Sequence, residues 1–162
     1  MAVVGQQLLA AESEMTRYDS NNGNISKIGD GWGTDFFGGY YGGSMIYTNV
    51  IGSYAAFNFT GTSVNIIIYA DNLSVRATAS EVWIDGVKVG LVSAYNKYNP
   101  SSQCEVGFVI TGLQDKEHSL KFLSTESKYM ILDAIDIDSA GILKPYNEII
   151  VVNINQAMSC GT

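Results

Sequence analysis

Charged residues, histidine, cysteine and proline are all scarce in this chain. Of its 162 residues, 15% are Asp, Glu, Lys or Arg, one is histidine, two are cysteine and two are proline. So few prolines exclude a proline-rich disordered segment. A zinc site is not expected, because Cys104, His118 and Cys160 lack the short spacings of zinc ligands. We expect both cysteines to be free thiols, as in a protein made in a cytoplasm.

Basic residues and long apolar runs are scarce as well. The formal net charge is −7, and Lys and Arg form no cluster, which argues against nucleic acid or an anionic membrane as a partner. No apolar run approaches the roughly 18 residues needed to span a bilayer. Segment 1–11 lacks a charged n-region, and Gly5, Gln6 and Gln7 interrupt its apolar residues. We therefore expect mature sequence rather than a signal peptide.

Glycine and tyrosine, in contrast, are abundant, with 17 and 10 residues. Short apolar runs alternate with turn residues along the chain, a pattern typical of strands. The run 63–70 carries apolar residues on both faces, which predicts a strand that is largely buried. Asp85-Gly86 lies between two such runs and predicts a hairpin over 81–91, because both central residues of a type I′ turn need positive φ. The sequence predicts an all-β domain, an antiparallel β-sandwich, in which 7–11 is the first strand and 31–43 is a loop.

The C-terminal residues differ from the rest of the predicted domain. We assign residues 1–143 to the sandwich and 144–162 to a C-terminal extension that follows the Lys144-Pro145-Tyr146 break. Residues 148–154 are predicted to form a last, apolar strand, and an exposed apolar edge would favour aggregation of a monomer. The extension is therefore predicted to be an extra strand or an inter-subunit contact, in a homo-oligomer or a larger assembly.

No catalytic constellation is visible in the sequence. His118, the only histidine, shares its predicted strand face with Leu120 and Phe122, which favours a structural role. No Gly-x-Ser-x-Gly motif is present, so a nucleophile elbow is not expected. We expect a non-enzymatic protein; a small glycoside hydrolase or lyase that uses Asp133 or Asp136 is the catalytic alternative.

A carboxylate falls on an apolar strand face. In a strand over 129–138, period-two alternation places Asp133 beside Ile131, Ile135 and Ile137, where an unsatisfied carboxylate would be costly. One interpretation is an aspartate that ties down loop backbone by hydrogen bonds. A second is a structural Ca²⁺ site that Asp133 shares with Glu12 and Glu14, since this ion prefers oxygen ligands. A third is acid/base chemistry of the glycosidase type.

The aromatic and glycine-rich segment 31–44 is the best candidate for a binding site, together with Tyr95-Asn-Lys-Tyr-Asn99. Sugars present apolar C–H faces that stack on aromatic rings, while amides and hydroxyls read the sugar's polar groups. The exposed tyrosines expected here would equally suit a protein–protein interface, and Trp32 would alternatively cap the core. The predicted ligand-binding residues are Trp32, Tyr40, Tyr41, Asn72, Tyr95, Asn96 and Tyr98.

Over about residues 8–143 the chain resembles the galactose-binding-like jelly-roll modules, which are carbohydrate-binding domains attached to glycoside hydrolases and also occur in phage tail and other virion proteins. The resemblance rests on the order of several motifs along the chain: Tyr18-Asp19, Gly29-Asp-Gly-Trp32, Gly42-Gly-Ser-Met45, Ala56-Phe-Asn-Phe-Thr-Gly-Thr62, Val82-Trp-Ile-Asp-Gly86, Gly112-Leu113, His118-Ser-Leu-Lys121 and Leu132-Asp-Ala-Ile-Asp-Ile-Asp138. It implies a β-sandwich without catalysis of its own, often a structural Ca²⁺, and sugar binding by loops at one end or on a concave face.

Together these observations predict a carbohydrate-binding-like module of a phage virion, in the tail, the baseplate or a surface decoration. Its expected partners are a glycan on a bacterial surface and other proteins of the virion. One alternative is a purely structural virion subunit that mediates protein–protein assembly. Another is an accessory module of a carbohydrate-active enzyme. The expected location is the phage particle, with an extracellular, secreted protein as the alternative.

Overall fold

Short antiparallel strands make up most of the fold, as the alternating pattern predicts. The computed structural model describes residues 1–151. A single 3₁₀ turn is present in this range, at Tyr41–Gly43, and no helix in it is long and apolar enough to cross a membrane. The strands in chain order are β1 (Met15–Asp19), β2 (Ser26–Ile28), β3 (Gly33–Phe36), β4 (Ser44–Thr48), β5 (Tyr54–Gly61), β6 (Val64–Ala70), β7 (Ser80–Ile84), β8 (Val87–Val92), β9 (Ser102–Ile110), β10 (Lys116–Leu123), β11 (Met130–Leu132), β12 (Ala134–Asp138) and β13 (Leu143–Lys144).

These strands form three antiparallel sheets. A four-stranded sheet has the order β1-β12-β6-β9, and a six-stranded sheet has the order β13-β5-β10-β7-β8, with β2 also paired to β5. A three-stranded sheet, β11-β4-β3, completes the arrangement. The predicted antiparallel sandwich is therefore present in the structure.

The main core lies between the four-stranded and six-stranded sheets. Ile66 and Ile68 of β6 belong to one buried cluster with Phe57 and Phe59 of β5. Ile67, on the other face of β6, belongs to a second cluster that the N-terminal residues cover. β6 is thus buried on both faces, as its nearly continuous apolar run predicts.

The Asp85-Gly86 hairpin is confirmed. Asp85 and Gly86 have φ values of 52° and 79° and join β7 to β8. The Asp85 carboxylate accepts the Ser119 N–H at 2.9 Å and lies 2.6 Å from Nδ1 of His118. Nε2 of His118 lies 2.7 Å from the Gln114 carbonyl oxygen. His118 is buried and hydrogen-bonded on both sides, as expected for a structural histidine.

The prediction of a first strand at 7–11 is wrong. Gln7 makes only an isolated bridge to Glu105, and the N–H groups of Gly5 and Leu8 donate to carbonyl oxygens of β9 at 2.8 and 2.9 Å. The N-terminal segment thus covers the edge of the four-stranded sheet irregularly. The segment 31–43 is also not wholly a loop, because it contains β3.

The predicted single strand over 129–138 is interrupted at Asp133, which separates β11 from β12. Leu132 and Ile135 both enter the main core, although strict alternation would place them on opposite faces. Ile131 belongs to a different cluster from Ile135. The predicted shared face of Ile131, Asp133, Ile135 and Ile137 is therefore wrong, because the chain changes sheets at Asp133.

The residues after β13 lie against the six-stranded sheet. The Asn147 N–H donates to Asn58 Oδ1 at 3.0 Å, and the Ile149 N–H donates to Ser119 Oγ at 2.9 Å. Residues 148–151 do not form a strand, and the rest of the predicted strand 148–154 lies outside the described residues. The assignment of 144–162 as an extension that contacts a neighbouring subunit stays a prediction.

A buried ion pair crosses the outer face of the four-stranded sheet. Nε of Arg17 lies 2.6 Å from Oδ1 of Asp136, and both side chains are at most 2% exposed. Nη1 of Arg17 donates to the Leu8 carbonyl oxygen at 2.6 Å. This pair links β1 and β12 to the N-terminal segment.

We expect Asp136→Asn to lower the free energy of unfolding by about 3–5 kcal/mol, because it leaves the Arg17 charge buried without a partner. The matched control is Lys88→Gln, which opens the 3.4 Å Lys88–Glu81 pair on a half-exposed lysine. This control should cost about 1 kcal/mol or less. Urea denaturation measures both changes. Equal losses in the two variants would contradict the importance of the buried pair.

Candidate functional site

Backbone hydrogen bonds join three loops at one end of the sandwich. The Asn96 N–H donates to the Asp71 carbonyl oxygen at 2.8 Å, and the Ala94 N–H donates to the Ala77 carbonyl oxygen at 2.8 Å. The Ala77 N–H in turn donates to the Tyr129 carbonyl oxygen at 2.9 Å. The loops after β6, β8 and β10 therefore form one connected surface, which we call the loop end.

Asp71 is the central residue of the loop end. Its Oδ1 accepts Nε–H of Arg76 at 2.9 Å, and its Oδ2 accepts Nη2–H of the same arginine at 2.6 Å. Oδ1 also accepts the Leu73 N–H at 3.1 Å. This charge-assisted pairing raises the pKa of Arg76 and fixes the plane of its guanidinium group.

The tyrosine groove is a depression of about 480 Å³ at the loop end. It contains three of the predicted ligand-binding residues, because Tyr95, Asn96 and Tyr98 come together there. Tyr98 is 86% exposed and Tyr95 is 39% exposed. The residues lining the groove are Val4, Gly5, Thr78, Leu91, Ser93, Tyr95, Asn96, Lys97, Tyr98, Glu105, Val106 and Gly107.

Polar side chains in the tyrosine groove have defined positions. Nδ2 of Asn96 donates to Oε1 of Glu105 at 2.7 Å, and Glu105 is a buried residue of β9. Nζ of Lys97 lies 4.8 Å from the centre of the Tyr98 ring. The groove thus combines exposed ring faces with a fixed amide and a cation.

The arginine pocket is a second depression at the loop end, of about 200 Å³, lined by Asp35, Met45, Tyr47, Arg76 and Tyr129. The Tyr47 and Tyr129 rings meet edge to face with centres 5.5 Å apart. None of these five residues was among the predicted site residues. No local sequence pattern indicates these residues, because the ion pair of Asp71 with Arg76 and the contact of β4 with the 124–129 loop arise only in the folded chain.

Other predicted ligand-binding residues lie outside the tyrosine groove. Trp32 packs against the main core and donates its Nε1–H to the Ile28 carbonyl oxygen at 3.1 Å, which fits the core alternative. Tyr41 is half-buried with its ring 5.6 Å from the Arg17 guanidinium carbon. Asn72 is exposed but does not line the groove.

The expectation that Tyr40 is exposed is wrong. Its ring is buried between the edges of Phe37 and Tyr69, and its hydroxyl donates to Oδ2 of Asp35 at 2.7 Å. Burial, with the Asp35 carboxylate, raises the pKa of Tyr40. Tyr40 therefore acts as a protonated donor that positions Asp35 at the arginine pocket.

The two carboxylates predicted to share a calcium ion have different surroundings. Oε1 of Glu12 accepts the Ala2 N–H at 2.9 Å, and Glu12 lines a depression with Asp138. Asp133 is fully buried and accepts the Tyr41 N–H at 3.0 Å. Within residues 1–151, no group of three or more His, Cys, Asp or Glu side chains is arranged to hold a metal ion. The hydrogen bonds of Glu12 and Asp133 have no partner in common, and calcium binding by the chain stays a prediction.

The Asp133 carboxylate holds loop backbone through the Tyr41 N–H, as its hydrogen-bonding interpretation predicts, and the Asp133 backbone bonds to neighbouring segments as well. Its backbone N–H donates to the Ile67 carbonyl oxygen at 2.9 Å, and its carbonyl oxygen accepts the Ser20 N–H at 3.0 Å. Burial raises the pKa of Asp133 to about 6, although the Tyr41 N–H and nearby Arg17 oppose the shift.

A curated protein is similar in sequence to part of this chain. No protein-family model matches the chain. An A type blood N-acetyl-α-D-galactosamine deacetylase from Flavonifractor plautii is 35% identical over 92 residues, which are 57% of this chain and 11% of that protein. The chain thus spans only a small part of this curated relative's length.

Solved structures show which sandwich this is. CBM35 from Cellvibrio japonicus Abf62 is similar, with a TM-score of 0.60 at 12% identity over 82% of this chain and 99% of that one. A family two carbohydrate esterase from Cellvibrio japonicus gives 0.55 at 11% identity over 82% of this chain and 36% of that one. The chain therefore has a carbohydrate-binding-module-like jelly-roll fold, as the sequence resemblance implies.

The buried Asp133 carboxyl makes stability depend on pH. Its folded pKa of about 6 lies above the unfolded value of about 3.9, so the folded state binds the proton more tightly. This stabilisation is fully present below about pH 4 and is lost as the pH rises through about 6. The pKa difference corresponds to about 3 kcal/mol.

We expect Asp133→Asn to remove this pH dependence. Between pH 4 and 7 the wild-type free energy of unfolding should fall by about 2 kcal/mol more than that of the variant. Urea denaturation at each pH measures the difference. Asp35→Asn, at an exposed carboxylate, is the control and should keep the wild-type slope. Parallel curves for wild type and Asp133→Asn would contradict the assignment.

Proposed function

We propose that this domain binds carbohydrate through its loop end and has no catalytic activity of its own. The observation that carries the proposal is the tyrosine groove, where the exposed rings of Tyr95 and Tyr98 lie beside a fixed amide on a carbohydrate-binding-module-like jelly roll. A sugar ring can stack its C–H face on such rings. Asn96, Lys97 and Ser93 line the same groove and offer hydrogen bonds to hydroxyl groups.

The lack of catalysis is part of the proposal. His118 is buried, held by Asp85 and Gln114, and does not line the groove. Asp136 is paired with Arg17 and Asp133 holds the Tyr41 backbone, so both carboxylates are buried and occupied. The carboxylate pair that glycoside hydrolysis requires would have to face a substrate cleft. These placements support binding rather than turnover.

The setting in which the domain acts is the finer part of the proposal. The named similar proteins are a deacetylase of a sugar, an esterase of carbohydrate and a carbohydrate-binding module, which favour an accessory module of a carbohydrate-active enzyme. Adhesion of a phage virion to a bacterial glycan, and a structural role in such a particle, stay predictions of the sequence. So do an oligomeric state and a virion or secreted location.

The direct test replaces the most exposed ring of the groove. We expect Tyr98→Ala to weaken binding of a glycan that the wild type binds by on the order of tenfold, because the stacking surface is lost. Tyr98→Phe keeps the ring and should retain most of the affinity. Isothermal titration calorimetry, after a glycan array has identified a ligand, measures both. Silence across a broad array, or full affinity in both Tyr98→Ala and Tyr95→Ala, would overturn the proposal.

Calcium binding has its own test. A structural Ca²⁺ would bind only the folded chain and would raise the melting temperature in proportion to its saturation. We expect a higher melting temperature in calcium chloride than in a chelator, and Glu12→Gln should reduce the difference. Magnesium chloride at equal ionic strength is the control. Identical melting curves in calcium and in chelator would contradict the prediction that the folded chain binds a structural Ca²⁺.

A further inference from the structure

We propose that the arginine pocket is a specificity subsite that binds the acetamido group of an N-acetylhexosamine, an inference that rests on the proposed carbohydrate binding. An acetamido group has a carbonyl oxygen that accepts, an N–H that donates, and a methyl group that needs apolar contact. The pocket supplies a fitting group for each of these within one depression of about 200 Å³.

Arg76 supplies the donor for the amide carbonyl. Nε and Nη2 are both occupied by the Asp71 carboxylate, while Nη1 has no hydrogen bond among the described residues. No buried side-chain nitrogen or oxygen in that part of the chain lacks a partner, so Nη1 is open to solvent. The Arg76 side chain is only 16% exposed. The pocket therefore presents a fixed donor whose orientation Asp71 sets.

Asp35 supplies the acceptor for the amide N–H. Its Oδ2 accepts the Tyr40 hydroxyl at 2.7 Å, and its Oδ1 receives no hydrogen bond within residues 1–151. Asp35 itself is exposed, while the Tyr40 ring that holds it is buried. The carboxylate is thus anchored at one oxygen and free at the other.

The Tyr47 and Tyr129 rings supply the apolar contact for the methyl group, while Met45, which also lines the pocket, is buried. The Tyr47 and Tyr129 rings meet edge to face at an interplanar angle of 80°. The Tyr47 ring lies directly over Gly33, where an added Cβ would come within 2.5 Å of the ring. The two rings form the apolar wall of the pocket. Their mutual contact and the close packing of Tyr47 on Gly33 hold this wall in place before any ligand binds, which limits the entropy cost of binding.

The charges and the shape of the pocket distinguish between sugar substituents. Asp35 and Asp71 contribute two negative charges and Arg76 one positive charge, so a uronic acid carboxylate would meet a net negative site. An amino sugar would place its ammonium group near the Arg76 guanidinium group as well as the Asp35 carboxylate, and it has no methyl group to cover the tyrosine rings. A plain hydroxyl could satisfy Arg76 or Asp35 but would leave the apolar wall uncovered. Of these substituents, the neutral acetamido group matches all the lining residues.

The first experiment titrates the full chain with monosaccharides that differ only in the relevant substituent. N-acetylgalactosamine should bind at least tenfold more tightly than galactose, and both galactosamine and galacturonic acid should bind more weakly than N-acetylgalactosamine. Saturation-transfer NMR should show its strongest protein contact at the acetyl methyl protons. Equal affinities for galactose and N-acetylgalactosamine would overturn the inference.

The second experiment separates the arginine pocket from the tyrosine groove. Asp35→Asn and Tyr129→Ala should each weaken N-acetylgalactosamine binding about tenfold while leaving galactose binding within twofold. Asp35→Asn keeps an oxygen for the Tyr40 hydroxyl, so it preserves the local fold. The matched control, Tyr98→Ala, should weaken both sugars alike. Circular dichroism confirms that each variant is folded.

The outcomes distinguish this inference from the proposed function. If neither sugar binds, carbohydrate binding fails and the inference fails with it. If both sugars bind and Tyr98→Ala weakens both equally, but no preference for the acetamido group is found, the inference alone fails. If the preference is present but survives both Asp35→Asn and Tyr129→Ala, the acetamido group binds elsewhere and the assignment to the arginine pocket is wrong.

Discussion

The arrangement of the sandwich depends on one buried carboxylate at an interrupted strand. Asp133 separates β11 from β12, and its side chain accepts the Tyr41 N–H. Its backbone also bonds to Ile67 of the four-stranded sheet and to Ser20 after β1. Because the chain changes sheets at this residue, Leu132 and Ile135 can both enter the main core. A carboxylate is suited to the interruption, since it accepts the N–H that the adjacent 3₁₀ turn cannot satisfy internally.

The effect of this interruption reaches the loop end through Tyr40. The residue precedes the Tyr41 N–H that Asp133 holds, and its ring belongs to a buried cluster with Met45, Ala94 and Ile131. Its hydroxyl in turn holds Asp35. The buried cluster thus holds two groups at the arginine pocket in place, because Met45 lines the pocket and Tyr40 bonds to Asp35. A binding surface supported in this way loses little entropy on meeting a ligand.

Sequence patterns predicted the parts of the structure that are set locally. The Asp85-Gly86 turn, the doubly buried β6 and the exposure of Tyr98 follow from residue type and alternation alone. The interruption at Asp133 could not be predicted in this way, because alternation of apolar residues continues through it. The one indication of the interruption in the sequence was a carboxylate on an apolar strand face. Hydrogen bonding of Asp133 to loop backbone was one of three interpretations of that carboxylate.

The candidate site also has one part that local sequence predicts and one part that arises only in the folded chain. The tyrosine groove was predicted because Tyr95, Asn96 and Tyr98 are neighbours in sequence, whereas the arginine pocket joins residues from β3, β4, the 71–79 loop and the residue before β11. Tyr40 misled the prediction, since a tyrosine among glycines suggests exposure, yet its ring fills a cluster that no local pattern shows.

Local charge, rather than net charge, determines what the loop end can accept. The net charge of −7 acts on a distant ligand only weakly, because physiological salt screens charges beyond about 8 Å. Inside the arginine pocket the ion pair of Asp71 with Arg76 is mostly sheltered from water, with side chains 5% and 16% exposed, so screening is much smaller there. Asp71 neutralises Arg76 without removing all of its donors, which leaves a dipolar rather than a cationic surface. With the Asp35 carboxylate beside it, this surface offers a donor and an acceptor together, which suits a neutral amide and disfavours an anion.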